Sequence, residues 1–194
     1  MRTGMVLAAG RGTRMQPLTG HRPKPLLSVG GQSLLDHALD RLSEAGIETV
    51  VVNAHWHGAQ VADRVRARSA KDPKHPRTIL QSEHELLDTG GAVLEALRSG
   101  ALPDDAPFVV VNGDSFWLDG PTPALKRLAD GFDDETIDVL LLVARTATVV
   151  GHVGCRGWRA GRSGPVGKHA TARPVPPAGF ALSLIHISEP TRPY

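Results

Sequence analysis

Along residues 1–150, short apolar runs and amphipathic stretches take turns, and that alternation narrows the fold more than any other feature of the chain. Apolar runs sit at Gly4–Ala8, Ile47–Val52, Thr78–Gln81, Phe108–Val111 and Ile137–Ala144, each bounded by polar or turn-type residues. Between them, Ser33–Ala45 puts Leu34, Leu35, Ala38, Leu39 and Leu42 on one helical face, with Gly46 placed to end that helix. Gln60–Ala67 predicts a shorter helix, and Thr89–Leu97 another with Val93, Leu94 and Leu97 turned inward. Pro123–Leu128 starts with a proline suited to a first helical turn. Strand–helix alternation of this kind predicts an α/β fold: a mostly parallel sheet sandwiched by helices, with ligands at the carboxyl ends of its strands. The chain of 194 residues is long enough to bury a sizeable core in one domain.

The first apolar run empties into Gly10-Arg11-Gly12-Thr13-Arg14-Met15-Gln16-Pro17-Leu18-Thr19, followed by Pro23-Lys24-Pro25. Glycines let backbone N–H groups come close to anionic oxygens, and cations neutralise the charge those oxygens carry. A lysine between prolines stands on a loop that is restricted before any ligand arrives. The segment therefore suits a polyphosphate. It is not a dinucleotide fingerprint, because Met15 occupies the third glycine position, and no string of the G-x-x-x-x-G-K-[ST] type occurs.

In full, this stretch resembles the G-x-G-x-R-x-x-P-L-T and P-K-P signature of nucleotidyltransferases that join a nucleoside triphosphate to a sugar 1-phosphate. The resemblance runs from about residue 3 to about residue 150. It takes in Asn53 at the end of the second strand, Asp88-Thr89-Gly90-Gly91 at a helix start, and Asn112-Gly113-Asp114 closing another strand. The short forms V-N-A-H-W, L-D-T-G-G and V-N-G-D are most similar to members that act on N-acetylmuramate 1-phosphate with UTP. Members acting on mannose 1-phosphate with GTP come next. The resemblance implies a Rossmann-like, glycosyltransferase-A-like fold whose C-terminal part is missing here, and a cytoplasmic, magnesium-dependent enzyme.

What the resemblance implies for individual residues can be set beside their chemistry. The sugar 1-phosphate oxygen attacks the α-phosphorus and pyrophosphate leaves. A phosphate monoester has its second pKa near ~6, so this nucleophile is an anion at neutral pH and needs no general base. Catalysis then rests on positioning and charge neutralisation. Arg14 is expected on the departing β- and γ-phosphates, and Lys24 near the α-phosphate and the incoming sugar phosphate. Gly10, Arg11, Gly12 and Thr13 form the backbone cradle, while Leu7, Ala8, Ala9 and Gly90 border the base and ribose. Asn112, on the nucleotide side, and Asn53, on the sugar side, either hydrogen-bond hydroxyls or tie down turns. Asp88-Thr89 also suits a helix N-terminus. Asp114 is the expected Mg²⁺ ligand, since magnesium takes one or two carboxylates plus substrate phosphates. The family's second aspartate, from its C-terminal part, has no candidate in this chain. Binding without turnover, as in a nucleotide-binding regulatory subunit, is the alternative of another class and the expectation for the chain by itself.

Composition removes other functions. Net charge is +2 and the isoelectric point about 9.0. Residues 151–194 hold six of the 22 Lys and Arg and one of the 20 acids, which leaves residues 1–150 with 16 bases and 19 acids. The basic balance belongs to the tail, so no nucleic-acid partner is expected. No apolar run reaches the eighteen or so residues of a membrane helix, and a single cysteine, Cys155, excludes an internal disulfide. His55-Trp56-His57 could suggest a metal pair, but without further ligands it reads as a strand–helix junction.

From residue 151 the character changes. Residues 151–181 contain no Asp or Glu, yet carry seven glycines, four prolines and five Lys and Arg. Such a segment reads as a flexible basic tail or as translation out of frame, the second being the expectation here. Residues 182–194 resemble a translated sequencing adapter with no biological role.

Overall fold

The computed structural model describes residues 1–71, 76–133 and 135–142, and the backbone of residues 186–188. The expectations for residues 151–181, and for most of 182–194, lie outside that set.

A six-stranded sheet forms the centre, in the order β5-β4-β1-β6-β8-β7. Its strands are β1 (Thr3–Leu7), β4 (Thr49–Ala54), β5 (Arg77–Ser82), β6 (Phe108–Asn112), β7 (Val139–Leu141) and β8 (His186–Ser188). The first four are mutually parallel, whereas β8 lies antiparallel between β6 and β7. A two-stranded hairpin, β2 (Ser28–Val29) and β3 (Gln32–Ser33), precedes the first α-helix. Helices α1 (Leu34–Glu44), α2 (Gly58–Lys71), α3 (Asp88–Arg98) and α4 (Ala124–Asp130) connect or flank the strands.

Because β1, β4 and β6 are covered on both sides, their residues alternate between two cores instead of alternating between core and water. Val6, Val50, Val52, Val109 and Val111 pack against Leu35, Leu39, Leu42, Val61, Val65 and Leu128 of α1, α2 and α4. Met5, Val51, Phe108 and Val110 face the other way, onto Ala92 and Ala96 of α3. The inward stripe of α3 is therefore centred on its alanines. Val93 and Leu97 flank it, but Leu94, expected inward, is 45% exposed, since it stands about 200° round the helix from Ala92.

Helix α1 has the limits its sequence calls for. Ser33 accepts a hydrogen bond from the Asp36 N–H at 3.1 Å. At the other end Gly46 has φ +79°, and bonds from Gly46 to Ser43 (3.0 Å) and from Ile47 to Leu42 (3.0 Å) close a Schellman motif. Helix α2 runs longer than the apolar pattern over Gln60–Ala67 predicts. After Val61 and Val65, the next place on its buried stripe is taken by Arg68, which is 9% exposed and pairs with Asp36 at 3.2 Å and with Asp40. Arg64 adds a second contact to Asp36 at 2.6 Å. Burial alone would raise the Asp36 carboxyl, but hydrogen bonds from Arg64, Ser33 and Arg68 outweigh it and hold the group below its ordinary value. Two arginines and a fully buried aspartate thus join α1 to α2.

Candidate active site

Strand order reverses at β1: the chain goes to β4 on one side and to β6 on the other. A crevice opens outside the carboxyl end of the central strand at such a switch point. Leu7 is in register with Asn53 of β4 and with Asn112 of β6, so the two asparagines flank the start of the glycine loop. The crevice holds a cavity of about 540 Å³. Leu7, Ala8, Ala9, Gly10, Arg11, Gly12, Thr13, Arg14, Lys24, Asn53, Asn112 and Asp114, all expected from the sequence, line it. Gly90 does not; it sits in the first turn of α3, where its neighbours Asp88 and Thr89 reach the wall instead.

The loop folds back on itself. Gly12 has φ +62°, and a Cβ there would come within 3.0 Å of Thr19 and 3.2 Å of Lys24, so both conformation and space demand glycine. Thr19, fully buried, donates its hydroxyl to the Gly12 carbonyl at 2.8 Å. Residues Thr13–Met15 and Lys24–Leu26 each form a single 3-10 turn, the second with Pro25 buried at its start. Gly10, by contrast, has open space around its α-carbon.

Asp114 follows Gly113, whose α-carbon lies so close to β1 that a Cβ would be 2.9 Å from Val6 and 3.0 Å from the Leu7 carbonyl. The Gly113 N–H donates to that carbonyl at 2.9 Å. This contact brings the Asp114 carboxylate to the cavity, where it accepts from Lys24 Nζ at 2.7 Å. Both side chains are partly exposed, 28% and 38%. Two groups that stand 90 residues apart in the chain therefore meet across the cavity mouth.

The opposite wall carries acids that sequence reasoning passed over. Glu83, 8% exposed, accepts from Asn53 Nδ2 at 2.7 Å and from the Leu87 N–H at 3.2 Å. The other end of the Asn53 amide accepts from the Ala8 N–H at 2.6 Å. Asn53 is thus spent on tying β1 to the β5–α3 connection. Asp88 completes that wall at φ +55°, a left-handed conformation aspartate tolerates better than most residues. Glu83 within Glu83-His84-Glu85 reads as part of a solvated charge run; its one signal is the position directly after a strand. The cavity is therefore two-sided, with Arg11, Arg14 and Lys24 from the β1–α1 connection facing Glu83 and Asp88 from the β5–α3 connection.

Among the described residues, no group of three or more His, Cys, Asp or Glu could hold a metal by itself. Asp114 offers a hard oxygen beside the glycine loop, which fits a divalent cation that draws its other ligands from phosphates and water. No helix of the described residues is long and apolar enough to cross a membrane.

Comparison with known proteins agrees with this geometry. A family model described as MobA-like NTP transferase domain matches residues 4–165. An N-acetylmuramate alpha-1-phosphate uridylyltransferase of Caulobacter vibrioides is 45% identical over 148 residues, which cover 76% of this chain and 60% of that protein. One of the same name from Neisseria meningitidis is 43% identical over 112 residues, 57% of this chain and 46% of that one. The chain spans about half the length of these curated relatives. A UDP-glucose pyrophosphorylase complexed with UDP-glucose shares the fold with a TM-score of 0.57 at 21% identity, over 67% of this chain and 52% of its own.

Proposed function

The chain belongs to the MobA-like NTP transferase domain family, and from that premise we propose that it is the nucleotide-binding part of an enzyme that transfers a nucleotidyl group from an NTP to a sugar 1-phosphate. UTP and N-acetylmuramate 1-phosphate are the favoured pair, by likeness to the two uridylyltransferases. The observation that carries the reading is the meeting of Arg14, Lys24 and Asp114 on one cavity whose floor is the glycine loop.

In this mechanism an anionic oxygen of the sugar 1-phosphate forms a bond to the α-phosphorus. The bond between that phosphorus and the bridging oxygen breaks, and its electron pair leaves on pyrophosphate. Nothing has to be deprotonated, since the phosphate monoester is already an anion at neutral pH. Arg14 neutralises the departing pyrophosphate, and Lys24 lowers the repulsion between the two reacting phosphates. Backbone N–H groups of Gly10–Thr13 supply further donors, each charge-assisted bond contributing roughly 1.5–3 kcal/mol. Asp114 would hold Mg²⁺, which when bound supplies charge screening for the phosphates. Lys24 and Asp114, paired in the free protein, each give up the other when phosphates and metal arrive. The acidic wall suits donors on a base or ribose better than phosphate oxygens. Asn112 stays the direct candidate for a hydroxyl contact, while Asn53 shapes the wall through Ala8 and Glu83.

Calorimetric titration of the chain with UTP and Mg²⁺, against GTP and Mg²⁺, tests the binding half. Heat with UTP and much less with GTP is expected. Pyrophosphate release by the parent protein, with N-acetylmuramate 1-phosphate and UTP or with mannose 1-phosphate and GTP, tests the transfer. Release with the second pair alone would replace the favoured substrates, and release with no sugar phosphate and no NTP would overturn the reading.

A further inference from the structure

The turn between β4 and α2 holds three consecutive main-chain carbonyls of the segment that joins the glycine loop to Lys24. Trp56 Nε1 donates to the Thr19 carbonyl at 3.4 Å, and the imidazole of His57 bonds the Gly20 carbonyl through Nε2 at 3.1 Å. Gln60 Nε2 donates to the His21 carbonyl at 2.9 Å. A carbonyl only accepts, so His57 must carry its proton on Nε2. His57 itself has φ +49°, a conformation that turns the chain sharply enough to bring Trp56, His57 and Gln60 to one side. The rings of Trp56 and His57 meet edge to face at 4.6 Å. Beneath them His55 Nδ1 bonds the Glu83 carbonyl at 3.0 Å, which ties the turn to the opposite wall.

Between His21 and the rigid Pro23-Lys24-Pro25 turn, only Arg22 is left unheld. Pro23 is buried with φ −64°, and its carbonyl accepts from Leu26 at 2.9 Å. At the other end of the segment, Thr19 is bonded to Gly12. Lys24 therefore stands at the end of a short segment whose preceding carbonyls are fixed by side chains from another part of the fold.

We propose that His57 and Gln60, assisted by Trp56, are positioning residues that hold the Thr19–His21 segment and thereby set the place of the Lys24 ammonium beside Asp114. Trp56 and His57 of the His-Trp-His string then serve as hydrogen-bond donors to a loop, and His55 anchors the turn to Glu83, in place of a metal pair. Its consequence for transfer rests on the role of Lys24 proposed above; the placement of Lys24 does not.

Lysine reactivity tests the placement directly. The 194-residue chain is treated with limiting acetylating reagent, and the ratio of acetylation at Lys24 to that at exposed Lys126 is read by mass spectrometry. Gln60→Ala, the near-isosteric Gln60→Glu (which loses the donor) and His57→Asn (which tolerates the left-handed backbone) should each raise that ratio about threefold, what losing one ordinary hydrogen bond converts to. Arg66→Ala, further along the same helix in an exposed ion pair with Asp63, should leave it unchanged. Thermal unfolding is followed for every variant, and the Gln60 variants carry the test if His57→Asn unfolds, because the Gln60 bond is exposed. A Lys24 ratio unchanged in folded Gln60 variants overturns the proposal. UTP titration of the same proteins separates the two readings. Wild-type chain that takes up no UTP counts against the proposed function while leaving the acetylation result in force. Wild-type chain that binds UTP, with Gln60→Ala about fivefold weaker, supports both.

Discussion

Among the described residues, two of the ion-pair sites that link distant parts of the chain contrast in burial and in number of partners. Between α1 and α2, Asp36 is fully buried and receives Arg64 and Arg68, with Asp40 sharing the second arginine. Across the cavity mouth, Lys24 and Asp114 make one partly exposed contact. The first has its hydrogen-bonding capacity filled from several directions, so taking away Asp36 or Arg68, its two buried members, leaves a charge short of partners in the interior. The second is single, partly exposed and on the cavity, so under the proposed function either partner can exchange the other for a phosphate or a metal at little cost. Burial and multiplicity, more than the charges themselves, separate a permanent joint from a contact meant to open.

The largest expected effect tests the permanent joint. Asp36→Ala removes the buried carboxylate that Arg64 and Arg68 share, and should lower the unfolding free energy by about 3–5 kcal/mol in denaturant titration. Next comes Lys24→Ala. It should leave the melting temperature near wild type while cutting turnover of the parent enzyme by about one to two decades, measured as pyrophosphate release. A large stability loss here would erase the distinction between the sites.

Acid sharpens the comparison. Asp36 titrates below its unfolded value when folded. Its contribution to stability is therefore fully present above the unfolded carboxylate value of roughly 4 and is lost as pH falls through the folded one. Unfolding free energy measured from pH 5 downward should drop along that limb, and Asp36→Asn should flatten the drop. The smallest effects belong to wet pairs. Asp114→Asn should change stability by no more than about 1 kcal/mol while weakening metal-dependent nucleotide binding, and Arg66→Ala by about 0.3 kcal/mol or less.

The parts legible in the sequence are those where one physical rule acts locally. Apolar runs gave β1, β4, β5 and β6 to within two residues at either end; for β1, β4 and β6 the reason is that strands buried on both faces need continuous apolar sequence. That the glycine loop, Arg14, Lys24 and Asp114 line one cavity was legible because their motif restricts residue type as well as spacing. Arg68 was not: an arginine in an apolar stripe looks like the end of a helix until Asp36 and Asp40 are seen across from it. Nor was the work of Trp56, His57 and Gln60, since their partners are backbone carbonyls, which every residue has. Glu83 was hidden for a related reason, its neighbours Asn53 and Leu87 being 30 residues before it and four after. The triplet His186–Ser188, assigned no role by its sequence, pairs with β6 and β7.

Gly10 and Gly113 stand at the two sides of the same crevice, yet selection should treat them differently. A methyl group at 113 collides with β1, so any variant there is removed by folding itself. A methyl group at 10 meets only empty space, so the fold does not require glycine there, and under the proposed function any such requirement comes from the nucleotide. A saturation library sorted first for soluble expression and then for nucleotide capture would lose position 113 in the first sort and position 10 in the second.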